Sequence, residues 1–435
     1  MRARNSEYID KSGLISVVNS TLFTERSFSC VTRCRRFGKS MAARMLCAYY
    51  DQSCDSRHLF ADLQIASDPQ FEKHLNKYPV IYLDVSDFVT RFKDDSILQH
   101  INEEMKADIH EAYPDVPVKD DDDLMALLIR INAKTNEPFI FIIDEWDAIC
   151  REFKEGTTAM DAYVNWLRRM FKAGMSARVF AGTYMTGILP VKKYKTESAL
   201  NNFIEYSMVE PGRMAQFFGF TKDEVKALAE KHQMDFEELL KWYDGYQIGD
   251  ELSMFNPNSV MQAVDKGRCR SYWATTGAFD AVANYISMNY EGLKDDIIYM
   301  LAGGRRPVDP TSFRNDMSII RSKNDALTAL IHLGYLGYDW REDECYIPNK
   351  EVGVEMANAI KENHWEPVVT ALEQSKQLLA DTLAGDSDAD AAIDQIKRKQ
   401  YPAKVAQYAD HLLLVGINYD RQTKTHTCRI EKEDV

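Results

Sequence analysis

The sequence predicts an α/β fold, a parallel sheet with flanking helices, on three observations. The runs VIYLDVS (Val80–Ser86), FIFIIDE (Phe139–Glu145) and ARVFAGTY (Ala177–Tyr184) are short and continuously apolar, and each ends in polar residues, as strands buried on both faces do. Leu98–Ile109 and Asp123–Ala133 carry helical periodicity between them. Strand and helix therefore alternate, the pattern of a parallel sheet covered on both sides. The expected organisation is a sheet domain over residues 1–205, a helical, winged-helix-like domain over 206–382, and a short α+β tail over 383–435.

Along the chain, SFSCVTR reads as a further strand and MAARMLCAYY as a helix, with RCRRFGKSM (Arg33–Met41) joining them. The acidic run Asp120–Asp123 reads as a solvated helix start, because four adjacent side chains cannot converge on one ion. From Gly219 to Tyr243 the pattern is helical, and Thr221 followed by Glu224 makes a capping box. WYDGYQIGD and FNPNS read as a turn-rich aromatic insert. Asp325–Leu333 is an amphipathic helix, and GYLGYDWREDECYIPN after it alternates around a polar turn as a hairpin does. Helix followed by hairpin is the tail of a winged-helix unit. A flexible boundary is expected at Leu383–Ala392, followed by one helix and the strands HLLLVGINY and THTCRIE. A tail of this size must pack on something or be the remnant of something larger.

The 435 residues are 45% hydrophobic and 28% charged, ordinary for a soluble globular chain of two or three domains. No signal peptide or spanning segment is visible, so a cytoplasmic protein away from membranes is expected. Eight scattered cysteines without CxxC spacing read as free thiols, with a regulatory Cys30–Cys34 disulfide as the alternative. The net charge of −14 argues against a binder of nucleic acid over its whole surface. Residues 1–45, however, hold nine Lys/Arg against three Asp/Glu, which suits a phosphate.

The chemistry lies in two segments. A phosphate-binding loop has the form G-x-x-x-x-G-K-[ST], whose glycines let backbone N–H groups approach phosphate oxygens. Gly38, Lys39 and Ser40 fit this form, while Arg33 occupies the first glycine position. Lys39 is the expected contact to the β- and γ-phosphates, and N–H groups from Arg35, Arg36, Phe37, Gly38, Lys39, Ser40 and Met41 line the expected anion cradle. Ser40 and Asp144 are the expected Mg²⁺ ligands, and Glu145 orients or deprotonates the attacking water. The acids of DEWD have a plainer alternative, that of capping the next helix. Arg33, Arg35 and Arg36 either neutralise phosphate charge or pair with carboxylates or a partner surface. Thr183, taken as the end of its strand, either senses the γ-phosphate or only bonds backbone.

YIDKSGLI, TRCRRFGKSMAARML, LFADLQI, YPVIYLDVS, FIIDEWDAI, MTGILPV, ALNNF, FGFTKDEV, WYDGY, FNPNSV, YWATTG, LGYL and IPNKEV follow one another in order. In this series the chain resembles the bacterial AAA-ATPase-like proteins that carry a C-terminal PD-(D/E)XK nuclease-like domain. The resemblance is continuous over about residues 7–360 and less secure beyond. Arginine commonly stands at the Arg33 position in that family, and Cys34 departs from its usual proline. The resemblance implies a P-loop ATPase core, ATP with Mg²⁺ as cofactors, a winged-helix-like middle able to meet nucleic acid or a protein partner, and a nuclease-like end. The nuclease acids do not carry over. DQIKRKQYP follows the acidic linker almost directly, and Asp394 with Lys397 lacks a second carboxylate. The expected function is a Mg²⁺-dependent ATP-binding protein, a slow ATPase coupling nucleotide state to domain arrangement. The alternative is a non-enzymatic interaction or nucleic-acid-associated protein. Arg213 in EPGRM is the one arginine nominated as a finger acting across subunits.

Overall fold

The computed structural model describes residues 7–118, 123–153, 158–172, 174–191, 193–194, 197–198, 200–249, 252–273, 292–313, 322–360, 393–394, 397–398, 411–420 and 425–434. The chain divides into two compact units, residues 1–273 with 305–352, and residues 274–304 with 353–435.

The first unit is built on a five-stranded sheet of β1 (Phe28–Thr32), β2 (Val80–Asp84), β3 (Phe139–Asp144), β4 (Phe180–Gly187) and β5 (Ile204–Tyr206), in the order β2-β3-β4-β1-β5. Every pairing is parallel. The expected α/β class is thus observed directly, and its cause is visible in burial: β1, β3 and β4 are buried along their whole length. Phe28, Cys30, Phe141 and Met185 enter one apolar core. Val31, Ile140, Ile142 and Tyr184 enter the core on the other face, beside Ala43, Leu46 and Tyr50 of the helix α1 (Lys39–Tyr50).

The helices Ile97–Ala112 and Leu124–Thr135 match the periodicity, and Asp123 caps the second by accepting from Ala126 N. The rest of the acidic run lies outside the described residues. The third expected strand is displaced: Ser176–Val179 is a helical turn, and β4 runs from Phe180 through MTG to Gly187.

Beyond the sheet, Thr221 and Glu224 form the expected capping box at the start of Lys222–His232. WYDGYQIGD closes the helix Phe236–Tyr243 and turns into a short hairpin, Tyr246–Ile248 with Leu252–Met254. FNPNS is no insert of turns. Asn256 accepts from Asn258 N and Ser259 N, and Pro257 opens the helix Pro257–Lys266 at a position where no amide is needed. Helix Lys323–Leu333 is followed by the expected antiparallel pair Gly337–Asp339 and Glu344–Tyr346, joined at its edge by Arg306–Pro307.

In the second unit, helix Leu293–Leu301 and an antiparallel pair, His411–Asp420 with Thr425–Asp434, are described. The two tail strands were expected; the boundary at 383–392 lies outside the described residues. Lys397 bonds Glu431.

Gly245 sits where the WYDGY segment crosses Pro348. Its φ of +106° is a glycine conformation, and an added Cβ would lie 1.9 Å from the Pro348 carbonyl oxygen. Gly245→Ala is expected to cost more than about 2 kcal/mol, read as a fall of several degrees in thermal melting, and melting unchanged from wild type would contradict this packing.

Candidate functional site

Parallel pairing brings the two sequence segments to one end of the sheet. β4 pairs with β1 through Thr32↔Gly187 and with β3 through Ile143↔Met185, so the loop after Thr32 and the carboxylates after Ile143 emerge side by side. Ligands in such sheets bind outside the carboxyl ends of the strands. A cavity of about 830 Å³ opens there. Its polar end is lined by Arg35, Gly38, Lys39, Ser40, Glu145 and Arg151, and Tyr8, Ile9, Phe60, Phe217, Phe220 and Met261 line apolar wall.

The loop turns into α1 at Gly38, whose φ of +89° is left-handed and which has open space around it. The helix N-terminus therefore presents free N–H groups and its positive dipole end to the cavity. Lys39 is nearly buried; its Nζ donates to the Cys34 carbonyl at 3.1 Å and stands 3.8 Å from Glu145 Oε1. Met41 is exposed at the cavity edge.

Asp144 is fully buried at the end of β3. It accepts from Glu145 N at 3.1 Å and from Tyr82 OH at 3.2 Å. Burial raises its carboxyl above the ordinary range, the Ser40 hydroxyl bond lowers it, and Glu145 and Asp84 raise it further. Asp144 and Ser40 together offer two hard oxygen donors of the kind a divalent cation could meet. Glu145 has a φ of +52°, and its Oε2 accepts from Arg151 Nη2.

The other half of DEWD is structural. Trp146 N donates to Thr186 O at 2.9 Å, and Trp146 Nε1 to Leu189 O at 3.2 Å. Asp147 is buried and accepts from Leu189 N at 2.9 Å and Arg151 Nε at 3.1 Å. The helix-capping alternative finds no support at Asp147, whose side chain makes no cap bond to the helix that follows.

Two expectations are corrected, and one alternative is set aside. Arg33 neither faces the cavity nor meets a carboxylate. Its buried guanidinium donates to the carbonyls of Thr32 (2.8 Å), Tyr206 (2.8 Å) and Ser207 (2.9 Å) and lies over the Phe218 ring. Burial lowers its pKa to about 10. Thr183 is mid-strand and pairs with Phe28 at the start of β1, the end of the sheet away from the loop. Its displacement follows from the shift of β4; Thr186, beside Val31, is the threonine near the loop. Cys30 and Cys34 are free, and burial pushes the Cys34 thiol up to about 12, so neither the disulfide nor a reactive thiolate is present.

Arg36 adopts a φ of +68° and donates to Tyr272 O at 3.0 Å, while Phe37 is buried edge-on against Tyr246. Tyr246 OH donates to Gly334 O at 2.9 Å, and Gly334 packs tightly against Cys34. Arg213 is held inside its own chain, donating to Tyr206 OH at 3.0 Å. The sequence reading missed Arg151, Asp147 and Tyr82. Arg151 stands four residues after Asp147, one helical turn, and that spacing was the available signal.

His332 is wholly buried, and burial together with the Arg33 charge lowers its pKa from 6.5 to about 4. The unfolded chain binds more protons than the folded one between these values. Stability from this group is thus complete above about pH 6.5 and falls by roughly 3 kcal/mol as pH drops to about 4. His332→Gln is expected to flatten the acid decline of melting temperature in that window; an unchanged slope would contradict a neutral His332.

Residues 1–196 match the AAA-ATPase-like family, described as Predicted AAA-ATPase. No match was found among curated proteins. Among solved structures, the chain is similar to the Aeropyrum pernix ORC2 protein in ADPNP–ADP complexes, at 10% identity and a TM-score of 0.35, covering 86% of this chain and 98% of that one. It is also similar to the Aeropyrum pernix ORC1 protein in complex with DNA, at 12% identity and a TM-score of 0.25, covering 82% and 94%. Likenesses this distant carry no weight for function. No helix among the described residues is long and apolar enough to cross a membrane. The loop and the paired carboxylates both lie inside residues 1–196, the stretch that matches the AAA-ATPase-like family model.

Proposed function

We propose that this protein binds ATP with Mg²⁺ and hydrolyses it slowly. The observation that carries the reading is the convergence of Lys39, Ser40 and Glu145 on one cavity of nucleotide size, with the buried Asp144 bonded to Ser40. The base and ribose take the apolar wall, the phosphates meet the α1 N-terminus and Lys39, and the choice of ATP over GTP rests on the family. Ser40 and Asp144 would hold the Mg²⁺, which when bound neutralises phosphate charge. Glu145 orients a water on the γ-phosphorus. The water oxygen bonds to phosphorus, the bond to the β–γ bridging oxygen breaks, and ADP leaves with that electron pair. The water proton passes to Glu145 and then to the inorganic phosphate.

Coupling follows from the underside of the loop. Arg36, Phe37 and Cys34 meet Tyr272, Tyr246 and Gly334, so a change in the loop on nucleotide binding is felt by residues 206–273 and 322–346. The helix and hairpin of that region are proposed as winged-helix-like and as the surface for a nucleic-acid or protein partner. Residues 383–435 are proposed as a nuclease remnant without activity, and Lys397 in its bond to Glu431 supports this.

The test is equilibrium ATP binding and phosphate release by wild type, Lys39→Ala and Glu145→Gln. Lys39→Ala is expected to lose about tenfold or more in affinity, and Glu145→Gln to bind normally while turnover falls on the order of a hundredfold. Equal, negligible binding by all three proteins ends the reading. Binding without turnover in the wild type would favour a non-enzymatic interaction protein.

A further inference from the structure

We propose that Arg151 is a positioning residue that fixes the Glu145 carboxylate for attack on the terminal phosphate, a role that rests on the ATPase reading above. The two oxygens of Glu145 are divided between two cations: Oε2 bonds Arg151 Nη2, and Oε1 stands 3.8 Å from Lys39 Nζ. All three side chains line the cavity. The Arg151 side chain is only 13% exposed, and its Nε is anchored on Asp147 Oδ2 at 3.1 Å. Asp147 is in turn fixed by the backbone amides of Ile188 and Leu189, beyond the end of β4. The guanidinium is therefore tied, through the buried Asp147 side chain, to the backbone just beyond β4.

Glu145 needs such an anchor. Its φ of +52° takes the backbone out of the strand conformation, so the pleat of β3 no longer sets the direction of its side chain. Arg151 sets it instead. Holding Oε2 keeps the carboxylate from swinging onto Lys39 as a close ion pair, which would take that lysine from the phosphate. Oε1 is left toward the cavity as the acceptor for the attacking water. Hydrolysis then proceeds with the bonds made and broken as above, and Arg151 neither gives nor receives a proton.

The experiment compares phosphate release, and equilibrium binding of fluorescent ATP and ADP analogues, in wild type, Arg151→Ala, Arg151→Lys, Glu145→Gln and the Arg151→Ala/Glu145→Gln double variant. Arg151→Ala is expected to lower kcat about 10- to 100-fold, as loss of a group orienting a reactive one does. KM and both affinities should stay within about threefold, because the group acts through Glu145 and not on the nucleotide. Arg151→Lys should recover part of kcat, and the double variant should be no slower than Glu145→Gln alone. If the alanine variant does not fold, Arg151→Gln is read in its place. Turnover by Arg151→Ala at the wild-type rate overturns the proposal. So does a loss of affinity for ATP but not ADP, which would make Arg151 a direct phosphate contact, and so do additive losses in the double variant. A wild type that releases no phosphate overturns the hydrolytic reading and Arg151's task together, and is told apart because the failure is then in the wild type.

Discussion

One strand constrains everything at the site. β4 is buried throughout its eight residues and is the only strand placed between β1 and β3 in the sheet order. Its parallel register with both neighbours decides that a loop at residue 33 and carboxylates at residues 144 and 145 open at the same edge. A slip of one residue would turn every β4 side chain to the opposite face, exchanging Tyr184 and Met185 between two filled cores. The register is thus held by packing on both sides at once. The backbone past the strand end reinforces it, because Asp147 and Trp146 bond directly to Ile188, Leu189 and Thr186.

Charge burial follows from this geometry. Arg33 is enclosed beneath the loop with carbonyl oxygens as its partners, an arrangement that costs stability unless the dipoles around it are fixed. Those dipoles come from the ends of β1 and β5 and the turn after β5, so the guanidinium ties these segments together where a glycine would tie nothing. Asp144 illustrates the opposite sign. Its burial opposes ionisation, and the Ser40 hydroxyl and Lys39 favour it, so a cation arriving at this carboxylate meets a group with little stabilisation to lose.

Much of this was legible in the chain. FIFIID and VIYLD announced themselves because strands covered on both faces have no polar positions to interrupt them. The lysine–serine pair and the two carboxylates were found because their chemistry dictates the residue types. What failed was what depends on distant partners. Arg33 could be read as a phosphate-neutralising group because two of the three carbonyls that receive it lie more than 170 positions away. Thr183 was misplaced because ARVFAGTY gives no sign that its first residues coil into a helical turn before the strand begins. FNPNS was read as turn because an asparagine cap and a proline at the first helical position use the same residues as a loop. Arg151 was overlooked because its partners are acids already given other tasks.

The contact of Phe37 with Tyr246, and of Cys34 with Gly334, has a consequence for how the molecule can be divided. A fragment ending after β5 would keep every strand of the sheet and every residue of the GKS motif. It would also uncover the inner face of its own phosphate loop, leaving a buried phenylalanine in water and Arg36 without the Tyr272 carbonyl. The smallest autonomous piece that can hold a nucleotide is therefore longer than the sheet that defines its fold. Any natural shuffling or laboratory transplantation of this module must carry the WYDGY and LGYL segments along with it.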